Sequence, residues 1–123
     1  MQHIINLMWG LPVPGTDRVV KQVILRPLTI GGELRAVAEL EDMDLGDGRG
    51  ESGKTTAMIA ETLAYWAQQL TVDGIDPKQM TATYLMDNLT GEDYNIILAE
   101  QDVMRTKYTA ATVPSAAAAA ENP

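Results

Sequence analysis

Apolar residues recur at Ile59, Leu63, Trp66 and Leu70, in steps of four, three and four, which sets them on one face of a helix. Met58, Thr62 and Tyr65 flank the stripe. Ala57, Ala60, Ala64 and Ala67 raise helix propensity and leave room for close neighbours. No Pro or Gly interrupts the run, so the pattern predicts a helix over 54–71. A Trp at the centre of such a stripe is expected to anchor a core. A second stripe, Ile30, Leu34, Val37 and Leu40, follows Thr29, a suitable N-cap, and predicts a helix over about 29–41. Gly31 and Gly32 weaken its first turn.

The remaining segments divide in the same way. Ile4 to Leu11 is apolar and β-prone, and Val19 to Arg26 is rich in β-branched residues. Pro12, Pro14, Gly15 and Asp17 punctuate a turn between them, so a β-hairpin is predicted over 3–26. Asp76 as cap, Pro77 at the first helical position and Gln79 three residues after the cap predict a helix over 77–87. Met80, Tyr84 and Leu85 form its buried side. Thr90-Gly91-Glu92-Asp93 opens a last helix over 91–107, with acids at its positive end and Arg105 and Lys107 at the other. Tyr94, Ile97, Leu98, Gln101 and Met104 mark one face of it, and Ile96, Ala99 and Val103 a second. Asp42 to Gly53 is Gly-rich and acidic and reads as a loop, with another turn at Asp73-Gly74. From Ala110 the chain is Ala-rich without an amphipathic pattern, and 110–123 reads as a flexible tail or as a helix continuing a little way from the domain. The expected fold is α+β: an N-terminal β-hairpin packed on a small bundle of about four α-helices, in a single domain over 1–109.

Composition narrows the function classes. The 123 residues allow one modest core, built without Phe on Leu, Ile, Val and seven Met. A net charge of −8 argues against a nucleic-acid backbone or an anionic membrane as partner and favours a basic or apolar one. With no Cys, disulfides, thiolate catalysis and Cys-based zinc sites are excluded. The start, MQHIINLMWG, lacks a basic n-region, and its apolar run is too short for a signal or a membrane span. A soluble protein is expected.

One stretch matches a chemical motif letter for letter. Gly48-Arg49-Gly50-Glu51-Ser52-Gly53-Lys54-Thr55 has the P-loop pattern, in which backbone amides cradle phosphates and Lys meets the β/γ oxygens. Its upstream context is wrong. A P-loop hangs from a buried parallel strand, whereas Glu39 to Asp47 is acidic and would repel a triphosphate. Gly48, Gly53, Lys54 and Thr55 are therefore read as a chance match, and no nucleotide, metal or other cofactor is expected. The acidic loop fails the EF-hand spacing, because Gly46 falls at a ligand position and no Glu closes it. His3, the single histidine, has no carboxylate or second His near it in sequence, and no catalytic set emerges. Most stripe residues are expected in the core. Four short helices and a hairpin cannot hide every apolar position, and Trp9, Leu63, Tyr65, Trp66, Leu70 and Tyr84 are the candidates for a partner site.

The order of elements resembles the small tail assembly chaperones of tailed bacteriophages, the Mu-like family in particular. The matching features are the β segment leading into Leu25-Arg26-Pro27-Leu28-Thr29, the acidic amphipathic stretch Glu33 to Glu41, and Leu63-Ala64-Tyr65-Trp66-Ala67-Gln68-Gln69-Leu70. The connection Val72 to Pro77 and the Leu-rich turn and helix start from Leu85 to Tyr94 complete them, over roughly residues 19–106. The hairpin, the Gly-rich loop and the Ala-rich tail depart from the pattern. The resemblance implies a non-enzymatic protein that binds the tape measure protein in the host cytoplasm and keeps it soluble while the tail tube assembles. The tail tube protein is a further candidate partner, and self-association is expected because several copies coat one client. The alternative is a small structural tail or baseplate component of the virion. A pairing-competent hairpin edge would favour that alternative, and a helical groove lined by Trp66 and Tyr84 would favour the chaperone.

Overall fold

A computed structural model describes residues 2–43 and 50–120. Strands β1 (His3–Pro12) and β2 (Val19–Leu25) form the hairpin, followed by α1 (Ile30–Asp42), α2 (Gly50–Gln69), β3 (Leu70–Val72), α3 (Ala82–Asn88) and α4 (Gly91–Ala120). The architecture is α+β: one antiparallel sheet in the order β1-β2-β3, with helices against its inner face. Alternation along the strands decides which face is inner. Ile5, Leu7, Val23, Leu25, Leu70 and Val72 are buried, whereas Ile4, Asn6, Met8, Gln22 and Thr71 point outward and are exposed. Trp66 stands at the centre of the core, 1% exposed, with its ring tilted against Tyr94 at a centroid distance of 4.9 Å.

The hairpin contains a bulge that ties the two halves of the chain together. Pairing runs in register from His3↔Leu25 to Asn6↔Gln22 and resumes at Leu11↔Val20, so Leu7 to Gly10 stand opposite Lys21 alone. Gly10 has φ +84°, and a Cβ there would lie 2.7 Å from the Val20 carbonyl oxygen, so only glycine fits the bulge. The bulge amides find their acceptor across the fold. Met8, Trp9 and Gly10 N–H donate to the Asp93 carboxylate at 2.7, 2.9 and 3.0 Å. Asp93 is fully buried in the first turn of α4, where three amide donors and the positive end of the helix replace its hydration. Further along the same pair of elements, His3 Nε2 and Glu100 Oε1 are 2.6 Å apart.

Four boundaries differ from the sequence expectation. The central helix stops at Gln69, and Leu70–Val72 forms β3, because the backbone of Leu70 to Val72 pairs with β2 from Leu25↔Leu70 to Val23↔Val72. Gln69 secures the junction: its carbonyl accepts from Arg26 N–H, and its side-chain amide donates to the Arg26 carbonyl, both at 2.9 Å. At the other end α2 begins at Gly50, inside the segment read as loop; residues 44–49 of that segment lie outside the described residues. The expected helix 77–87 begins only at Ala82. Asp76 instead closes a short turn, its side chain accepting from Lys78 N–H at 2.8 Å, and Thr81 takes the cap by accepting from Tyr84 N–H at 3.0 Å. Finally, α4 runs past 107 to Ala120, so helical backbone continues through most of the Ala-rich stretch, further than the short continuation weighed against a tail, while 121–123 lie outside the described residues. Its second apolar face is only partly covered: Ile96 is half-buried, but Ala99 and Val103 are exposed. Among the described residues no helix is long and apolar enough to cross a membrane.

Candidate functional site

The most informative surface is one the sequence assigns to the core. The α1 stripe faces solvent: Ile30 is 82% exposed, Leu34 66% and Val37 41%, with Leu40 half-buried. The buried positions of α1 are Gly32 and Ala36, on another side of the helix. Three contacts fix this rotation. Gly32 lets α1 approach α2 so closely that a Cβ there would lie 3.3 Å from Gln68 Cβ, with Leu28 and Thr29 atoms at 3.2 Å. Arg35 Nε donates to Gln68 Oε1 at 2.9 Å. Glu39 Oε2 accepts from Ala82 N–H at 2.7 Å, which ties α1 to the start of α3. With positions 32 and 36 buried, and 35 and 39 bonded to α2 and α3, positions 30, 34 and 37 must turn outward at 3.6 residues per turn. Thr29 starts the helix as the sequence predicts, accepting from Gly32 N–H at 3.0 Å.

Beside this stripe lies a groove of about 740 Å³ between the entry to α1, the middle of α2 and α4. Trp66 and Met104, both buried, line its apolar part. Tyr65, Thr62 and Gln69 contribute from α2, Gln101 and Arg105 from α4, and Pro27, Leu28 and Glu33 from the α1 side. Glu33 belongs to both features, because it lies three residues after Ile30 and four before Val37 and so borders the stripe. Glu33 thus stands between the apolar stripe and the groove. Burying a side chain such as Ile or Leu stabilises a complex by about 1.5–3 kcal/mol, so an exposed stripe of this kind holds useful binding energy. A smaller cleft of about 210 Å³ between α2, α3 and the start of α4 is lined by Ile59, Leu63, Leu85, Met86, Leu89 and Tyr94, among others.

The predicted partner residues separate. Leu63, Trp66 and Leu70 are buried at 3%, 1% and 4%, and their main role is in this chain's own core, which corrects their reading as surface residues. Leu70 also leaves the helical stripe, because it is the first residue of β3. Tyr65 is half-buried on the groove. Tyr84 is half-buried away from it: its hydroxyl donates to the Pro12 carbonyl, and burial pushes its pKa up. The groove therefore pairs Trp66 with Tyr65, and Tyr84 is not part of it. Trp9 is exposed at 55%, with its indole N–H donating to Glu92 Oε1 at 2.7 Å. Ile30, Leu34 and Val37 are the surface residues that periodicity alone misassigns, because it finds the stripe but not its direction.

Gly53, Lys54 and Thr55 stand in the first turns of α2, and Gly48 lies outside the described residues. The element that precedes the motif is α1, and the sheet is antiparallel throughout, so no parallel strand among the described residues feeds a phosphate cradle. Of the acidic loop weighed for calcium, Asp42 to Gly53, residues 44–49 lie outside the described residues. Among the described residues there is no group of three or more His, Asp or Glu side chains placed to hold a metal ion. His3 pairs with Glu100 across 97 positions, a partner that local sequence could not suggest. No protein-family model, curated protein or solved structure matches the chain.

Proposed function

We propose that the protein is a non-enzymatic binding protein for an apolar helical client: a phage tail assembly chaperone that holds the tape measure protein soluble in the host cytoplasm during tube assembly. The observation that carries this reading is the outward apolar stripe of α1, Ile30, Leu34 and Val37, next to the Tyr65–Trp66 groove. A long client with apolar helical stripes aggregates unless those stripes are covered, and a helix face with an adjoining groove covers them with many modest contacts. Modest contacts suit a client that must be released. The net charge of −8 lends solubility to the complex. The resemblance in element order to the Mu-like tail assembly chaperones supplies the client's identity.

The alternative, a virion component that adds hairpin strands to its neighbours, depends on free donors along β1. In the bulge those donors are taken up by Asp93, which favours the chaperone reading. Co-expression with the tape measure candidate of the same genome tests the proposal, with size-exclusion chromatography and light scattering as the readout. A soluble complex that forms only when this protein is present is the expected result, and the mass gives its copy number. An insoluble client and a chaperone eluting alone would contradict it, and detection of the protein in purified particles would favour the alternative.

A further inference from the structure

We infer that the outward face of α1 is the seat for an amphipathic helix whose apolar stripe is flanked by Lys or Arg, and that it is not an interface between copies of this chain. This rests on the client-binding reading and specifies its partner. Charge complementarity points to this occupant. Continuing the spacing of Ile30, Leu34 and Val37 by four residues reaches Glu41, so the exposed stripe ends on a carboxylate with Asp42 beside it. Glu33 borders the stripe on its groove side and is exposed. The only basic residue of α1, Arg35, is turned toward α2, where it donates to Gln68. The α1 stripe is therefore bordered and terminated by acids, with Arg105 of α4 lying further out along the same groove, on a chain of net charge −8.

A second copy fits this face poorly. A twofold pairing of two α1 faces brings together two surfaces that each carry Glu33, Glu41 and Asp42, on chains each of net charge −8, so like charges repel. A helix with basic flanks meets those carboxylates with opposite charge and covers the same three apolar residues. From Ile30 to Glu41 the stripe is about 16 Å long, so roughly three turns of the partner are engaged.

The test uses the full chain and three synthetic helical peptides of defined composition. One carries a Leu stripe flanked by Lys, one the same stripe flanked by Glu, and one the Leu/Lys composition in scrambled order. Binding is measured by calorimetry at low and raised salt, and the mass of the free protein by light scattering. The Lys-flanked peptide is expected to bind the native protein at least about tenfold more tightly than either other peptide, and more weakly as salt rises. The double variant Ile30→Ser/Leu34→Ser and the double variant Glu33→Lys/Glu41→Lys should each lose about tenfold. The second variant leaves the apolar stripe intact and separates charge from packing. Circular dichroism establishes that both variants fold. Equal binding of the Lys- and Glu-flanked peptides, or native binding by both variants, overturns the inference. So does a native dimer that Ile30→Ser/Leu34→Ser converts to monomer, because the occupant is then a second copy. The outcomes also separate this inference from the chaperone reading. A client solubilised equally by the Ile30→Ser/Leu34→Ser variant sinks the inference alone. Peptide binding without any effect on the tape measure candidate sinks the chaperone reading alone.

Discussion

Helices α1 and α2 carry apolar stripes of the same spacing and spend them differently. In α2, Leu63 and Trp66 lie at the centre of the core with Ile59 half-buried beside them; in α1, Ile30, Leu34 and Val37 face solvent. The difference does not come from the stripes. It comes from what stands on the remaining faces. Gly32 and Ala36 give α1 a smooth side for close approach to α2, and Arg35 and Glu39 find hydrogen-bond partners on Gln68 and Ala82. Close backbone approach combined with two long-range polar contacts decides the rotation of α1 and leaves its largest side chains outside. An amphipathic pattern thus reports a helix and an apolar face, and the contacts on the other faces decide whether that apolar face serves the fold or a partner.

Substitutions in the two stripes should separate these roles. The largest effect is expected at Trp66→Ala, which removes the buried ring and its contact with Tyr94. Urea denaturation should show a loss of about 3–5 kcal/mol. Asp93→Ala should come next, with a loss of about 2–4 kcal/mol, because the bulge amides of Met8, Trp9 and Gly10 lose their acceptor. Amide exchange at those three positions should accelerate together. A variant with native exchange there would remove Asp93 from the account.

Smaller effects should follow at Tyr84 and on α1. Tyr84→Phe gives up the hydrogen bond to the Pro12 carbonyl, for a loss of about 1 kcal/mol at neutral pH. The same residue has a pH dependence of known sign. Burial raises the Tyr84 pKa, so the fold favours the neutral phenol. Its contribution is present below the unfolded value of about 10 and declines as pH rises from there toward the folded value. The native protein should lose this stability on going alkaline, and Tyr84→Phe should lose less. The smallest effect on stability is expected at Leu34→Ser, within about 0.5 kcal/mol of native. A loss comparable with that of Trp66→Ala would show that the α1 stripe belongs to the core and would erase the contrast between the helices.

Local rules made much of the fold legible. Alternation and Pro/Gly punctuation located the hairpin, Thr29 and Thr90 marked two helix starts, and the steps of three and four placed Trp66 in a core. The missed features are those in which distant residues outweigh local preference. The backbone of Leu70–Val72 joins β2 because Leu25 to Val23 present a free edge, although the preceding pattern is helical. Asp76-Pro77 looks like a helix start but closes a turn, since Thr81 provides the cap that is used. The acceptor for the β1 bulge lies 83 to 85 residues away, and the partner of His3 lies 97 away. The candidate surface was half legible for the same reason. Its residues were visible as a stripe, and its exposure depends on contacts with α2 and α3 that no local pattern contains.

On the proposed reading, α1 turns its apolar face outward to hold a client. Hydrogen–deuterium exchange on the co-expressed complex with the tape measure candidate tests it most directly, compared with the free protein. Slower exchange concentrated in residues 30–41 and along the groove at Tyr65 is the predicted result. Protection confined to the outer face of the sheet around Ile4 and Met8, with α1 exchanging as in the free protein, would contradict it.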